Sequence, residues 1–139
     1  MPAMSKDERE KFLAGTHVAA FSVARPDGPP LTVPVWYQYE LGGEVRVQTG
    51  PETLKFQLAR AAGEFSLLVQ DDTPPYRYVS VSGPVVAIDP ETSWADVESM
   101  ARRYLDGEAL AGYLTMKESQ PPMITLRMRP NRWRSTDLS

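Results

Sequence analysis

A chain of 139 residues with 15 basic and 18 acidic side chains has room for one domain and one core, and its net charge of -3 argues against general nucleic-acid binding, where phosphate contacts dominate affinity. The absence of cysteine excludes disulfides, thiolate chemistry and the usual zinc sites, and a single histidine, His17, excludes a His-rich metal cluster. No apolar run reaches the length of a bilayer span, and Lys6, Asp7, Glu8, Arg9 and Glu10 stand where a signal peptide would be apolar, so a cytoplasmic protein with no membrane partner is expected.

In chain order, Ser5 with Glu8 reads as a capping box, and Phe12, Leu13 and a stop at Gly15 predict a short first helix. Residues 17–25 alternate, with His17, Ala19, Phe21 and Val23 on one face and Val18, Ala20, Ser22 and Ala24 on the other. Pro26-Asp27-Gly28 marks a turn, Leu31 to Tyr39 resumes as a strand, and Leu41-Gly42-Gly43 is a tight turn into a third strand, Glu44 to Thr49. Gly50 and Pro51 suit the N-cap and first position of a helix that runs to Ala62 and closes at Gly63.

A strand over Glu64 to Gln70 and a loop at Asp71-Asp72-Thr73-Pro74-Pro75 follow, then a long strand from Tyr76 to Ile88 bent at Gly83-Pro84. Asp89-Pro90 opens a helical region in which Trp94, Val97, Met100, Ala101, Tyr104 and Leu105 recur at helical spacing until Gly107. A short helix from about Glu108 to Lys117 and a last strand, Met123 to Arg129, carry the chain towards Trp133. Six strands, mostly antiparallel, and four short helices predict a mainly β fold: a six-stranded antiparallel barrel with peripheral helices, one domain over residues 1–139. No G-x-G-x-x-G follows a strand, which removes the Rossmann alternative.

The chemistry concentrates in Val47 to Lys55, where Thr49, Thr53 and Lys55 surround a helix N-terminus suited to the phosphate of a cofactor. Threonines at such positions also bond to their own backbone, and a lysine there is often only solvated. Trp36 and Trp133 can stack on a ligand or fill the core. No residue set forms a catalytic acid, base or nucleophile: His17 stands alone and reads as a core or barrel-mouth residue, and Asp71-Asp72 are ordinary turn residues.

The order of helix, Val18-Ala-Ala-Phe-Ser-Val-Ala-Arg-Pro-Asp-Gly, Pro34-Val-Trp-Tyr, Val47-Gln-Thr, Thr53-x-Lys and Phe65-Ser-Leu-Leu-Val resembles the pyridoxamine 5′-phosphate oxidase-like split barrel, from about Phe12 to Trp133. The Pro-Val-Trp-Tyr strand and the Arg-Pro-Asn-Arg-Trp ending are most similar to the actinobacterial branch of flavin and deazaflavin (coenzyme F420) oxidoreductases. The resemblance implies a homodimer with cofactors in clefts between subunits. Val33, Pro34, Val35 and Trp36 match the strand beside the cofactor ring. Thr49, Thr53 and Lys55 match a phosphate-binding Thr-x3-Ser-x-Lys pattern, with Leu54 where relatives often carry arginine.

Coenzyme F420, with its phosphodiester and oligoglutamate tail, needs a broader basic surface than FMN. Lys55, Arg60, Arg77, Arg127, Arg129, Arg132 and Arg134 are candidates for it, Trp133 for a cofactor wall, and Thr73 to Tyr78 for a substrate-side wall. The lack of any histidine after His17 argues against vitamin B6 oxidation. The expected function is an oxidoreductase passing hydride from reduced F420 to a conjugated small molecule such as a quinone, enone or tetrapyrrole. FMN is the alternative cofactor, and a non-catalytic carrier of fatty acid, haem or deazaflavin is the alternative of another class.

Overall fold

Local signals in the sequence set the first elements. In the computed structural model, which describes residues 3–138, the Ser5 hydroxyl accepts from the Glu8 amide at 3.2 Å and the Glu8 carboxylate accepts from the Ser5 amide at 3.3 Å. This reciprocal cap starts α1 (Lys6–Ala14), which buries Phe12 and Leu13. Strand β1 (Ala19–Arg25) turns its Ala19, Phe21 and Val23 inward, as the alternation predicts, and pairs antiparallel with β2 (Gly28–Val35). Two residues later β3 (Gln38–Tyr39) forms a hairpin with β4 (Val45–Thr49), around Gly42 at φ 74°.

Helix α2 (Leu54–Ala62) begins three residues later than its predicted start, because Thr53 and not Gly50 is the N-cap. A threonine oxygen can accept from an amide of the first turn and a glycine cannot, so Gly50-Pro51-Glu52 is left as a turn. At the other end Gly63, at φ 75°, closes the helix by bonding its N–H to the Ala59 carbonyl, as expected. Strands β5 (Glu64–Gln70) and β6 (Arg77–Asp89) follow. Helix α3 (Trp94–Tyr104) is capped by the Ser93 hydroxyl, four residues after the predicted opening at Asp89-Pro90. Helix α4 (Gly107–Leu114) and a 3₁₀ turn at Lys117–Ser119 lead to β7 (Ile124–Met128) and β8 (Arg132–Asp137).

The strands are hydrogen-bonded in the order β2-β1-β5-β6-β7-β4-β3, with β8 beside β6, and every pair is antiparallel. Chain continuity closes the ring, since β2 and β3 are two pieces of the one strand expected over Leu31 to Tyr39. The predicted six-strand barrel is thus present in eight pieces: one strand is interrupted and β8 is additional. Its interior is packed by Phe21, Tyr37, Val45, Val47, Leu67, Val79, Val81, Leu126 and Met128, all at 1% exposure or less. No helix among the described residues is long and apolar enough to cross a membrane.

Strands β7 and β8 run along one edge of β6 in succession, the first against Val85 to Asp89 and the second against Arg77 to Ser82. The turn between them crosses β6 at Gly83, held by bonds from the Arg129 amide to the Pro84 carbonyl (3.0 Å) and from the Asn131 amide to the Ser82 carbonyl (3.0 Å). A side chain at this crossing would place Cβ 1.8 Å from the Arg129 carbonyl oxygen, with backbone on both sides of the clash. Gly83→Ala is therefore expected to lower stability by about 3 kcal/mol or more, the upper range for overpacking, measured as a shift of the urea midpoint. An unchanged midpoint would show that the crossing is not close-packed.

Candidate functional site

The antiparallel ladder between β3 and β4 has two pairs, Gln38↔Arg46 and Tyr39↔Val45, and then stops. Continued, the register would set Trp36 opposite Gln48 and Pro34 opposite Gly50. Instead the two strands part, β2 staying with β1 and β4 with β7, so their facing edges flank a crevice. Val33, Pro34, Val35 and Trp36 lie along one lip, and Thr49 with the turn into α2 closes the end of the other.

Helix α3 roofs the junction: the Gln38 side chain donates to the Ser99 hydroxyl (3.2 Å) and the Gln48 side chain to the Asp96 carbonyl (3.1 Å). The Trp36 indole stacks on Tyr104 at 4.9 Å and 3°, with Tyr113 of α4 tilted against it at 6.0 Å. Trp36 thus contributes a packed wall, while its backbone follows the crevice. Val35 is buried at 6%, and Pro34 is exposed.

At the end of β4 the hydroxyls form a chain. Thr53 Oγ1 donates to the Gly50 carbonyl (2.9 Å) and accepts from the Phe56 amide (3.3 Å), so the 2.9 Å contact between the threonine hydroxyls is a donation from Thr49. Both hydroxyl protons are committed to building the corner. The Thr53 and Gln57 amides reach the Gly50 and Thr53 carbonyls, leaving the Leu54 and Lys55 amides with no partner among the described residues. Lys55 is half-buried and makes no ion pair among these residues, and its burial pushes the ammonium pKa below the usual 10.5. Two free amides at a helix N-terminus and one partly desolvated cation without an ion pair are an arrangement whose electrostatics favour an anion.

The other predicted site residues are dispersed. Arg60 is exposed five residues along α2 from Lys55, its guanidinium 5.4 Å from the Phe56 ring. Arg77 opens β6, where Asp71 engages it at 2.7 Å and raises its pKa, and it lies 4.8 Å above the Phe12 ring. Trp133 of β8 packs against Tyr39 and under Arg9 and lines a cavity of about 690 Å³ at the far end of β4. Arg127 is bound by Asp89 at 2.8 Å. His17 bonds through Nε2 to the Phe12 carbonyl (2.9 Å), with its ring 4.6 Å from that of Phe12, in keeping with a packing role. Sequence reasoning missed Tyr104, whose hydroxyl replaces a strand at the crevice junction, although its helical spacing with Trp94, Val97, Met100 and Ala101 was visible.

No family model and no curated protein matches the chain. Solved structures do. An F420 reductase superposes with a TM-score of 0.71 at 23% identity, over 89% of this chain and 94% of its own. An FAD-binding protein of Mesorhizobium loti gives 0.64 at 20% identity, over 96% and 93%. A candidate pyridoxamine 5′-phosphate oxidase of Listeria innocua gives 0.67 at 15% identity, over 94% and 96%. The chain has the pyridoxamine 5′-phosphate oxidase-like split-barrel fold that the sequence resemblance implies.

An uncompensated, half-buried cation is a stability cost that a ligand would relieve. Because the folded-state pKa of Lys55 lies below the unfolded value of 10.5, its penalty is fully present below the folded pKa and fades as pH rises towards 10.5. Lys55→Met should therefore not lower the urea midpoint of the unliganded protein at pH 7, and any advantage of the variant should shrink towards pH 10.5. A variant less stable than the parent at pH 7 would mean that the ammonium has a structural partner.

Proposed function

We propose that this protein is an oxidoreductase that takes hydride from reduced coenzyme F420 and delivers it to a conjugated small molecule of the quinone, enone or tetrapyrrole class. The observation that carries the reading is the Lys55 ammonium, half-buried without an ion pair beside the free Leu54 and Lys55 amides, at the end of the crevice between β2 and β4. A phosphodiester anchored there would leave the ring to lie along Val33 to Trp36. The fold shared with an F420 reductase and with an FAD-binding protein supports a deazaflavin or flavin, and Leu54, an apolar side chain 50% exposed beside Lys55, leaves one cation for the phosphate, which favours F420 in this reading.

When bound, the reduced deazaflavin supplies the hydride, which is the hard part of the chemistry. The chain's own contribution is binding and enclosure. Lys55 and the two amides would hold one end of the cofactor and the β2 edge would run beside its ring, while Trp36, stacked on Tyr104 with Tyr113 tilted against it, packs the junction behind. No side chain is assigned a proton, and solvent provides the one needed after hydride transfer.

The unpaired edges of β2 and β4 supply one side of the site, and the second wall is proposed to come from another copy of the chain. The sheet β2-β1-β5-β6-β8 exposes Leu68 (39%), which lies between Ala20 and Ser80 in a row that continues to Pro34, with Val18 (59%) beyond. Arg60, Arg77 and Trp133 stand away from the crevice of their own subunit, so any part they have in cofactor binding would be across such an interface.

Fluorescence titration with F420, and separately with FMN, tests the cofactor. Lys55→Met should weaken F420 about 10- to 100-fold, the value of one charge-assisted hydrogen bond. Equal affinities would remove Lys55 from the site, and tight FMN with no F420 binding would replace the cofactor. Reduced F420 should be reoxidised faster with protein and a quinone or enone panel than without protein; a flat trace across the panel would favour a carrier. The wild type should scatter light as a dimer at micromolar concentration and Leu68→Arg as a folded monomer, and a monomeric wild type would contradict the shared wall.

A further inference from the structure

The cavity of about 690 Å³ lies at the end of the barrel remote from Lys55, because Val45 and Thr49 bound opposite ends of β4 about 13 Å apart. Three segments distant in sequence converge on it: α1, the β3–β4 hairpin and the turn between β7 and β8. Its walls carry five cations and three carboxylates. The carboxylates are already committed. Glu10 accepts from the Tyr39 hydroxyl (2.7 Å) and the Gly42 amide (2.8 Å), Glu40 holds Arg46 at 3.3 Å, and Glu44 lies 3.7 Å from Arg127, which Asp89 also binds.

Lys6, Arg9 and Arg129 are left without an ion pair among the described residues. Arg9 is not a freely solvated side chain. Its guanidinium sits 4.6 Å over the Trp133 ring, and its Nε is sealed from solvent with no hydrogen-bond acceptor. An arginine held by an aromatic face, with its carboxylate neighbour turned towards a tyrosine and a hairpin amide, keeps its terminal nitrogens without a hydrogen-bond partner among the described residues.

Glu10 attracts Lys6 and Arg9 beyond ion-pair distance, and three cations drawn from two segments exceed what that one carboxylate can meet. We infer that this cavity is a second ligand site, distinct from the crevice, for a small polyanion bearing two or more carboxylate or phosphate groups. Arg9 and Arg129 bind the anionic groups directly, Lys6 adds long-range attraction, and Trp133 fixes Arg9. The inference does not rest on the cofactor proposal, since no residue of the crevice takes part.

Calorimetric titration of the full chain with citrate and with pyrophosphate tests it, with acetate as a single-charge control. At least one of the two polyanions should bind, acetate should not compete, and Arg9→Met and Arg129→Gln should each weaken binding about tenfold. Arg129 is exposed, so its variant keeps the test valid even where Arg9→Met disturbs packing on Trp133. Lys55→Met should leave the affinity unchanged. Citrate alone would mark a polycarboxylate site and pyrophosphate alone a polyphosphate site. Absence of heat with both, binding that survives both arginine variants, or binding lost with Lys55→Met would overturn the assignment.

Discussion

The interruption between β2 and β3 is the constraint on which the rest of the structure turns. A barrel strand that leaves its neighbour exposes main-chain groups, and burying them without partners costs about 1–3 kcal/mol each. At Tyr37 that exposure is removed from the side: the Tyr104 hydroxyl accepts from the Tyr37 amide at 3.1 Å and lies 2.7 Å from the His17 carbonyl and 3.1 Å from that of Tyr37. The Tyr37 side chain, fully buried, donates to the Leu13 carbonyl at 2.5 Å. Two tyrosines therefore tie α1, the strand junction and α3 together without a ladder. With the junction satisfied, β2 and β4 can diverge and leave a crevice in an otherwise closed sheet.

The same logic explains the division of labour at the end of β4. Thr49 and Thr53 look like ligand donors in the sequence, yet their protons are spent on Thr53 and on the Gly50 carbonyl. What they do is fix the turn so that α2 starts at Leu54 with two amides free. In the proposed site, selectivity then rests on groups with no internal partner among the described residues, the amides and the Lys55 ammonium. A site built in this way is rigid before the ligand arrives, which limits the ordering entropy that binding must overcome.

Much of this was legible because the local signals agreed with the global pattern. The strand expected over Glu64 to Gln70 matches β5 to the residue, the Ser5–Glu8 spacing located α1, Gly63 marked a helix end, and Gly83, read as a bend, proves to be where the β7–β8 turn crosses β6. The start of α2 was misplaced because proline at a first helical position competes with threonine as a cap, and the side-chain hydrogen bond decided in favour of Thr53. Strand β8 was missed for a different reason. Its inward residues are Trp133 and Ser135 between Arg132, Arg134 and Thr136, so the period of two is present but the apolar signal is one side chain deep. Arg127, Arg129 and Trp133 were visible as a basic cluster with an aromatic, but their grouping with Lys6 and Arg9 around the proposed polyanion cavity was not, since these segments meet only in the closed barrel.

An acidic chain with two proposed anion sites needs its charges sorted, not merely counted. Asp71 compensates Arg77, Asp89 and Glu44 compensate Arg127, Glu98 compensates Arg102 and Asp7 compensates Lys11. Exposed pairs of this kind add little stability. Their effect on the field is larger: each removes one cation from the surface balance, and Lys55 at one end of β4 and Lys6, Arg9 and Arg129 at the other are among the cations left without an ion pair among the described residues. The net charge of -3 repels long polyanions such as nucleic acid, whose charge samples the whole surface, while a small anion within a Debye length of either end meets uncompensated cations. Selection by size follows from the charge pattern before any shape complementarity is considered.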